Sequence, residues 1–174
     1  MKIKNCRICN SRKLKKLFSL GNMKFTGKFP KKNQFIPSGD VELIICNRCK
    51  LVQLRDNFNL KYLYNKDYGY RTGINLTMRK HVKSVVKKIT KKVKLKKNDY
   101  VLDIASNDGT LLSYYSQKIN TFGIDPLIDK YKKNYQNINY KVSDFFSYKN
   151  ILKIDKEIKF KAITALSVFY DIKK

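Results

Sequence analysis

Four cysteines in two close pairs constrain this chain more than any other feature. Two residues separate Cys6 from Cys9, two separate Cys46 from Cys49, and 36 residues lie between the pairs. Two intervening residues let one tight turn aim both thiolates at one ion, and two such turns complete the tetrahedron that Zn²⁺ prefers. Four thiolates leave no open coordination position, so the spacing predicts a structural zinc site.

Other interpretations of the cysteines are a redox pair, four unrelated reduced thiols, or a catalytic zinc. The chain contains no apolar run of the roughly 20 residues that a membrane span needs. No apolar segment follows the basic residues at its start, as a secretory signal would require. We therefore expect a cytoplasmic protein with no membrane partner, in which reduced thiols serve as metal ligands.

The formal net charge of +26 raises the question of a nucleic-acid partner. Lys outnumbers Arg by 33 to 6, although Arg is the residue that recognises phosphate and guanine bidentately. The abundance of Lys, Asn, Ile and Tyr is typical of AT-rich codon usage. We therefore do not expect nucleic acid as the partner, although the charge would suit a nucleotide-linked substrate. No sequence feature indicates an oligomeric state.

Hydrophobic periodicity divides the chain into three regions: a zinc-binding domain (1–56), a helical connector (57–96) and an α/β region (97–174). Residues 41–46 and 51–54 flank the second cysteine pair as a hairpin would. Apolar residues at helical spacing predict a helix over 78–93. Strand candidates then alternate with lysine-rich helical spacers, which predicts a parallel sheet; these candidates cover 100–105, 121–124, 139–142 and 160–166.

The segment VLDIASNDGT (101–110) is a second candidate site, where a buried strand runs into a loop and a predicted helix. Dinucleotide-binding loops are rich in glycine at this point. Here Gly109 is the one glycine, and Asp108 would repel a pyrophosphate, so the turn suits a cationic or hydroxyl-bearing ligand. Asp125 follows the next strand, where an acid typically binds ribose hydroxyls. A purely structural strand–turn–helix is the alternative.

Five ordered motifs carry a family resemblance: CRICNS, CNRCKLVQL, YLYNKDYGYRTGIN, VLDIASNDGTLL and FGIDP. The chain resembles class I S-adenosylmethionine-dependent methyltransferases that carry an N-terminal zinc-binding domain. The best-known members of that family methylate a carbon of nucleotide-linked deoxysugars. The resemblance implies a Rossmann-like fold, S-adenosylmethionine as cofactor beside the structural zinc, and a sugar nucleotide as substrate.

The resemblance also assigns residues. It implies that the four cysteines bind zinc and that Tyr68 and Tyr70 lie near the active site, where they could position substrate or transfer a proton. It places the remaining candidates around the cofactor: Asp103, Ala105, Ser106, Asn107, Asp108 and Gly109 in the loop, Asp125 and Pro126 after the second strand, and Asp144 and Phe145 beside the adenine. Ala105 departs from the glycine that is common at its position, a change of one methyl group that should be tolerated.

In the family the methyltransferase sheet has seven strands, and a segment bearing His and Tyr catalytic residues follows. We therefore expect this chain to correspond to the front half of such an enzyme, with an incomplete sheet and no activity of its own. The alternatives are a zinc-containing RNA methyltransferase, which the charge would favour, and a non-catalytic zinc module with a vestigial Rossmann half. His81, the single histidine, fits an ordinary helix position better than an active-site role.

Overall fold

A computed structural model describes residues 2–25, 30, 32–59, 62, 64, 68–154 and 157–168. The chain falls into two compact units, Met1–Gly69 and Tyr70–Lys174. Among the described residues, no helix is both long enough and apolar enough to cross a membrane.

The first unit contains an antiparallel sheet in the order β1-β2-β3, formed by Leu14–Lys24, Ser38–Cys46 and Val52–Leu54. Strands β2 and β3 form the predicted hairpin around the second cysteine pair. Strand β1 was not predicted. Its pairing with β2 is interrupted near residue 17 and again near Gly21, which has a φ of +76°. These irregularities break the period of two that identifies a strand in a sequence.

Among the described residues of the first unit, few apolar side chains are buried. Ile44 and Cys46 are fully buried, whereas Leu20 and Phe35 are mostly exposed. A core this small stabilises a fold only weakly, and small domains commonly add metal ligation to compensate. The packing therefore supports the expectation that this unit depends on a bound metal ion.

The second unit contains a parallel sheet in the order β6-β5-β4-β7. The strands match the four predicted apolar runs and are Tyr100–Ile104 (β4), Asn120–Ile124 (β5), Tyr140–Val142 (β6) and Phe160–Thr164 (β7). One core cluster packs on each face of this sheet: Val101 belongs to the first, and Leu102 and Phe122 to the second. Burial on both faces explains the apolar runs of β4 and β5, whereas the edge strands β6 and β7 expose alternate residues.

Helix α1, Leu76–Lys92, corresponds to the helix predicted over 78–93. The Asn75 side chain caps its first turn by accepting a hydrogen bond from the Met78 N–H. Val82 and Val86 are buried and join the core cluster that contains Val101. The helix was assigned to a connector, but its apolar face packs in the second unit, of which it is an integral part.

The helix predicted after the loop of residues 103–109 is only a 3₁₀ turn, Leu112–Tyr114. Leu111, Leu112 and Tyr115 are buried by this single turn, and the polar residues that follow offer nothing for a longer apolar face. The lysine-rich spacers are likewise short: a 3₁₀ turn at Lys132–Tyr135 and helix α2, Tyr148–Leu152.

Candidate functional site

The two cysteine pairs adopt the same backbone conformation. In the first, the Cys6 carbonyl accepts a hydrogen bond from the Asn10 N–H at 3.0 Å, and in the second, the Cys46 carbonyl accepts one from the Lys50 N–H at 2.8 Å. Asn10 and Lys50 both have a left-handed backbone, with φ of 57° and 63°. The spacing of two residues therefore produces two equivalent turns, each of which directs its sulfur atoms to one side.

The four sulfur atoms form one cluster in which all lie within 4.8 Å of one another. Sulfur atoms of different turns make the two contacts of 3.5 Å, which join Cys6 to Cys49 and Cys9 to Cys46. Neighbouring sulfur atoms around a tetrahedral zinc ion lie about 3.8 Å apart, since the Zn–S distance is about 2.3 Å. The cluster thus has the dimensions of a four-cysteine zinc site, and its contacts do not follow the Cys-x-x-Cys pairing of a redox disulfide.

Backbone donors favour the thiolate form that metal binding needs. The Cys9 N–H lowers the pKa of Cys6 to about 6 against the opposing effect of burial, and the Ile8 N–H adds to the lowering. In the second turn, the Cys49 N–H likewise lowers the pKa of Cys46. The turns therefore also prepare Cys6 and Cys46 electrostatically as ligands, whereas burial and contacts with the other sulfur atoms raise the pKa of Cys49 to about 12 against the Leu51 N–H.

Gln53 on β3 lies beside this cluster, although the spacing of the cysteines does not single it out. Its side chain is buried, and its Oε1 accepts hydrogen bonds from the backbone N–H and the guanidinium of Arg7 at 3.1 and 3.2 Å. These bonds fix the amide, whose Nε2 is buried without a hydrogen-bond partner among the described residues. The Gln53 side chain also makes a small contribution to the lowered pKa of Cys6.

The loop after β4 has an unusual backbone. Ala105, Asn107 and Gly109 all adopt positive φ, at 57°, 51° and 74°. Tyr135, which is fully buried, fixes the loop because its hydroxyl donates to the Asn107 carbonyl at 3.0 Å and contacts the Ser106 hydroxyl at 2.8 Å. The Ser106 side chain, which was predicted to line the cofactor site, is buried and lies against Tyr135.

Two buried carboxylates lie at the carboxyl ends of β4 and β5. Burial raises the pKa of Asp103 to about 7, although its Oδ1 accepts a hydrogen bond of 2.6 Å from the Thr164 hydroxyl, and the charge of Asp125 raises the pKa further. Burial also raises the pKa of Asp125 to about 6. The hydrogen bonds that its two oxygen atoms accept from the Leu127 and Asn107 N–H groups act in the opposite direction. Thr164 was not predicted, because a single threonine in an apolar strand carries no sequence signal.

Asn107 and Asp108, also predicted as cofactor residues, bind a segment of the chain in this structure. The Asn107 side chain contacts Tyr70 and Thr72, and the Asp108 carboxylate forms an ion pair of 2.9 Å with Arg71. Arg71 was not singled out from the sequence, although it stands inside the tyrosine motif.

The remaining predicted residues lie at the expected positions along the chain. Pro126 is half-buried directly after Asp125, and Phe145 is half-buried after β6. Asp144 is exposed, and its carboxylate accepts hydrogen bonds from the Phe145 N–H and the Asn150 amide. The parallel register therefore brings Asp103, Asp125 and Asp144 to the same edge of the sheet.

The tyrosine motif spans the boundary between the two units. Tyr68, in the first unit, packs its ring against Tyr64 at a centroid distance of 5.1 Å. Tyr70, in the second unit, is 47% exposed, and its carbonyl accepts a hydrogen bond from Asn107. Four other motif positions, 63 and 65–67, lie outside the described residues. His81 is exposed on helix α1, in agreement with an ordinary helix position.

Comparison with family models gives a match within the first unit. Residues 6–64 match the model of the Methyltransf_13 family, which is described as "Putative zinc binding domain". This range includes all four cysteines, so sequence similarity and geometry agree on a zinc-binding domain in the first unit. The family name points to a relationship with methyltransferases, while the β4–β7 sheet lies outside the matched residues. No curated protein matches the chain.

Proposed function

We propose that the second unit binds S-adenosylmethionine at the loop after β4 and belongs to a methyltransferase whose first unit holds a structural zinc ion. The strand order β6-β5-β4-β7 supports this assignment more than any other observation. The chain moves outward from β4 to β5 and β6 and then returns to the other side of β4. Ligands of open parallel sheets bind at such a reversal, outside the carboxyl ends of the strands.

The charges and acceptors at this edge fit the proposed cofactor. S-adenosylmethionine carries a sulfonium, an ammonium and two ribose hydroxyls, all of which are stabilised by carboxylate oxygens. Asp103 accepts one hydrogen bond and Asp125 accepts two within the described residues, so each retains acceptor capacity for a ligand. Burial raises the pKa of both groups, so a bound cation would favour their charged forms.

Other residues at the same edge would complete the site. Phe145 follows β6 and could lie against the adenine ring, while Asp144 lies beside it. Asp125 would accept hydrogen bonds from the ribose, with Pro126 directing the chain away from the ligand.

The zinc ion would stabilise the first unit rather than act in the reaction. All four ligands are cysteines, so a tetrahedral ion has no open position for water or substrate. The poorly buried core of this unit is the second argument, since metal binding would then supply most of its folding free energy.

The family resemblance extends the proposal to C-methylation of a nucleotide-linked deoxysugar. The cofactor supplies an electrophilic methyl group when bound. Tyr68 and Tyr70 are the candidates in this chain for positioning the sugar or moving a proton, and the net charge of +26 would favour a phosphate-bearing acceptor. The contribution of the protein would be alignment of the acceptor carbon in a site shielded from water.

Calorimetry with S-adenosylmethionine tests the proposal. The wild-type chain should bind the cofactor, and Asp125→Ala should weaken binding by about 1.5–3 kcal/mol, the usual range for hydrogen bonds to a charged group. Asp129→Ala is the matched control, because Asp129 is an exposed acid four residues away. A wild-type chain that retains zinc but does not bind the cofactor would instead favour a non-catalytic zinc module.

A further inference from the structure

The segment of residues 70–73, Tyr-Arg-Thr-Gly, is fastened to the loop after β4 by two side chains of that loop. We propose that Asn107 and Asp108 are positioning residues, which hold this segment against the loop where the ligand binds and thereby shape the ligand site. In this role they do not contact the ligand themselves. The inference rests on the proposed function for the identity of the ligand, but the contacts that carry it belong to the protein alone.

Asn107 binds the backbone of the segment from both sides of its amide. Its Oδ1 accepts the Thr72 N–H at 3.0 Å and lies 3.4 Å from the Thr72 hydroxyl. Its Nδ2 donates to the Tyr70 carbonyl at 3.2 Å. An amide that donates to one residue and accepts from the residue two positions later fixes both the direction and the register of the segment.

Asp108 is fully buried, and the protein uses its whole capacity to accept hydrogen bonds. The Oδ2 atom accepts the Arg71 Nε–H at 2.9 Å and the Gly73 N–H at 3.0 Å. The Oδ1 atom accepts from the N–H and the hydroxyl of Thr110. A carboxylate has about four acceptor sites, so this group has none left for a ligand. Asp103 and Asp125 retain such sites, which separates the roles of the three carboxylates.

The fit between segment and loop is too close for a larger side chain. A Cβ atom at Gly73 would lie 2.5 Å from the Thr110 hydroxyl and 2.7 Å from Asp108 Oδ2. The Arg71 guanidinium also lies over the Tyr131 ring, 5.3 Å from its centroid, so the ion pair is held from a second side. Glycine at position 73 is therefore a requirement of this contact rather than of a turn.

Hydrogen exchange of the full chain tests the contact without any ligand. In Asp108→Asn, the amides of Thr72 and Gly73 should exchange faster by about tenfold or more, while those of β4 and β5 stay protected. Gly73→Ala disturbs the same contact from the side of the segment, so it should give the same faster exchange at residues 72 and 73. It serves as the second variant if Asp108→Asn fails to fold. Asp129→Asn should exchange as the wild type does. Unchanged exchange at Thr72 and Gly73 in both variants would overturn the proposal.

Binding of S-adenosylmethionine then separates positioning from direct contact. If both variants act by releasing the segment, they should weaken binding by a similar factor, and the double variant should be no weaker than either. If Asp108 touched the ligand, its substitution would weaken binding more than Gly73→Ala and the two effects would multiply, which would overturn the proposal. A wild-type chain that binds no cofactor would refute the proposed function, while the exchange experiment would still decide the contact.

Discussion

Asp103→Asn should stabilise the unliganded second unit at neutral and alkaline pH. The carboxylate is buried at the end of β4 beside a second acid, Asp125, and the described hydrogen bond to it comes from the neutral Thr164 hydroxyl. An asparagine would keep the shape of the side chain and still accept the Thr164 hydrogen bond. It would remove the buried negative charge, which the unliganded protein stabilises poorly.

The magnitude follows from the difference in pKa between the folded and unfolded states. The unfolded chain loses the Asp103 proton near pH 3.8, whereas burial holds the pKa at about 7 in the folded chain. Between these values the folded state binds a proton that the unfolded state has lost, so stability falls as pH rises. A shift of about 3 units corresponds to roughly 4 kcal/mol, which the wild type loses by about pH 8 and the variant does not.

Urea unfolding, followed by far-UV circular dichroism at the helix band, measures this effect. The helix signal reports on the second unit, because helix α1 lies in it. The stability of Asp103→Asn relative to wild type should rise by roughly 3–4 kcal/mol between about pH 4 and pH 8. An unsatisfied amide in the variant would lower its relative stability by about the same amount at both pH values, so the change with pH would remain. The variant Asp129→Asn controls for the change in net charge. A relative stability that does not change with pH would refute the reasoning.

Three further predictions concern the zinc cluster and the loop. Cys46→Ser should lose the expected single equivalent of zinc and unfold the first unit, as metal analysis and hydrogen exchange would show; retention of both would contradict a structural site. Gln53→Glu keeps the acceptor for Arg7 but places an anionic oxygen beside Cys6, so zinc affinity in a chelator competition should fall by about 10–100-fold, with unchanged affinity as the contrary result. Ala105→Gly should relieve the left-handed strain and raise the free energy of unfolding by about 1 kcal/mol in a urea titration, whereas clear destabilisation would contradict the strain.

The features that were predicted correctly depend on residues close together in the chain. Two-residue spacing between cysteines is enough to predict the turns, and the apolar runs of β4–β7 are enough to predict a parallel sheet. Strand β1 was missed because its two irregularities destroy the local period. The prediction of a helix after residue 110 was wrong because the three buried residues there need only one turn to reach the core.

The roles of the loop residues could not be predicted because they depend on contacts between distant parts of the sequence. Asp103, Asp108 and Asp125 all look like candidate ligand residues when the motifs are read alone. Asp108 differs from the others because residues 71 and 73, more than 30 positions earlier, donate to its Oδ2 atom while Thr110 fills Oδ1. A motif therefore indicates where a site lies, and only the packing decides which of its polar groups remain available to a ligand.

Contacts with distant parts of the chain also stabilise the strained backbone of the loop. Three residues with positive φ within five positions would be costly in an isolated turn, particularly for Ala105 and Asn107, which have side chains. The Tyr135 hydroxyl, the Asp125 carboxylate and the Thr72 N–H each bind one group of Ser106 or Asn107, so surrounding contacts hold the conformation. Removing any one of these contacts should allow the loop to relax. Asp103 and Asp125, the two carboxylates that retain acceptor sites, would then lose their fixed spacing. The contacts that hold Ser106 and Asn107 thus help to keep Asp103 and Asp125 in place.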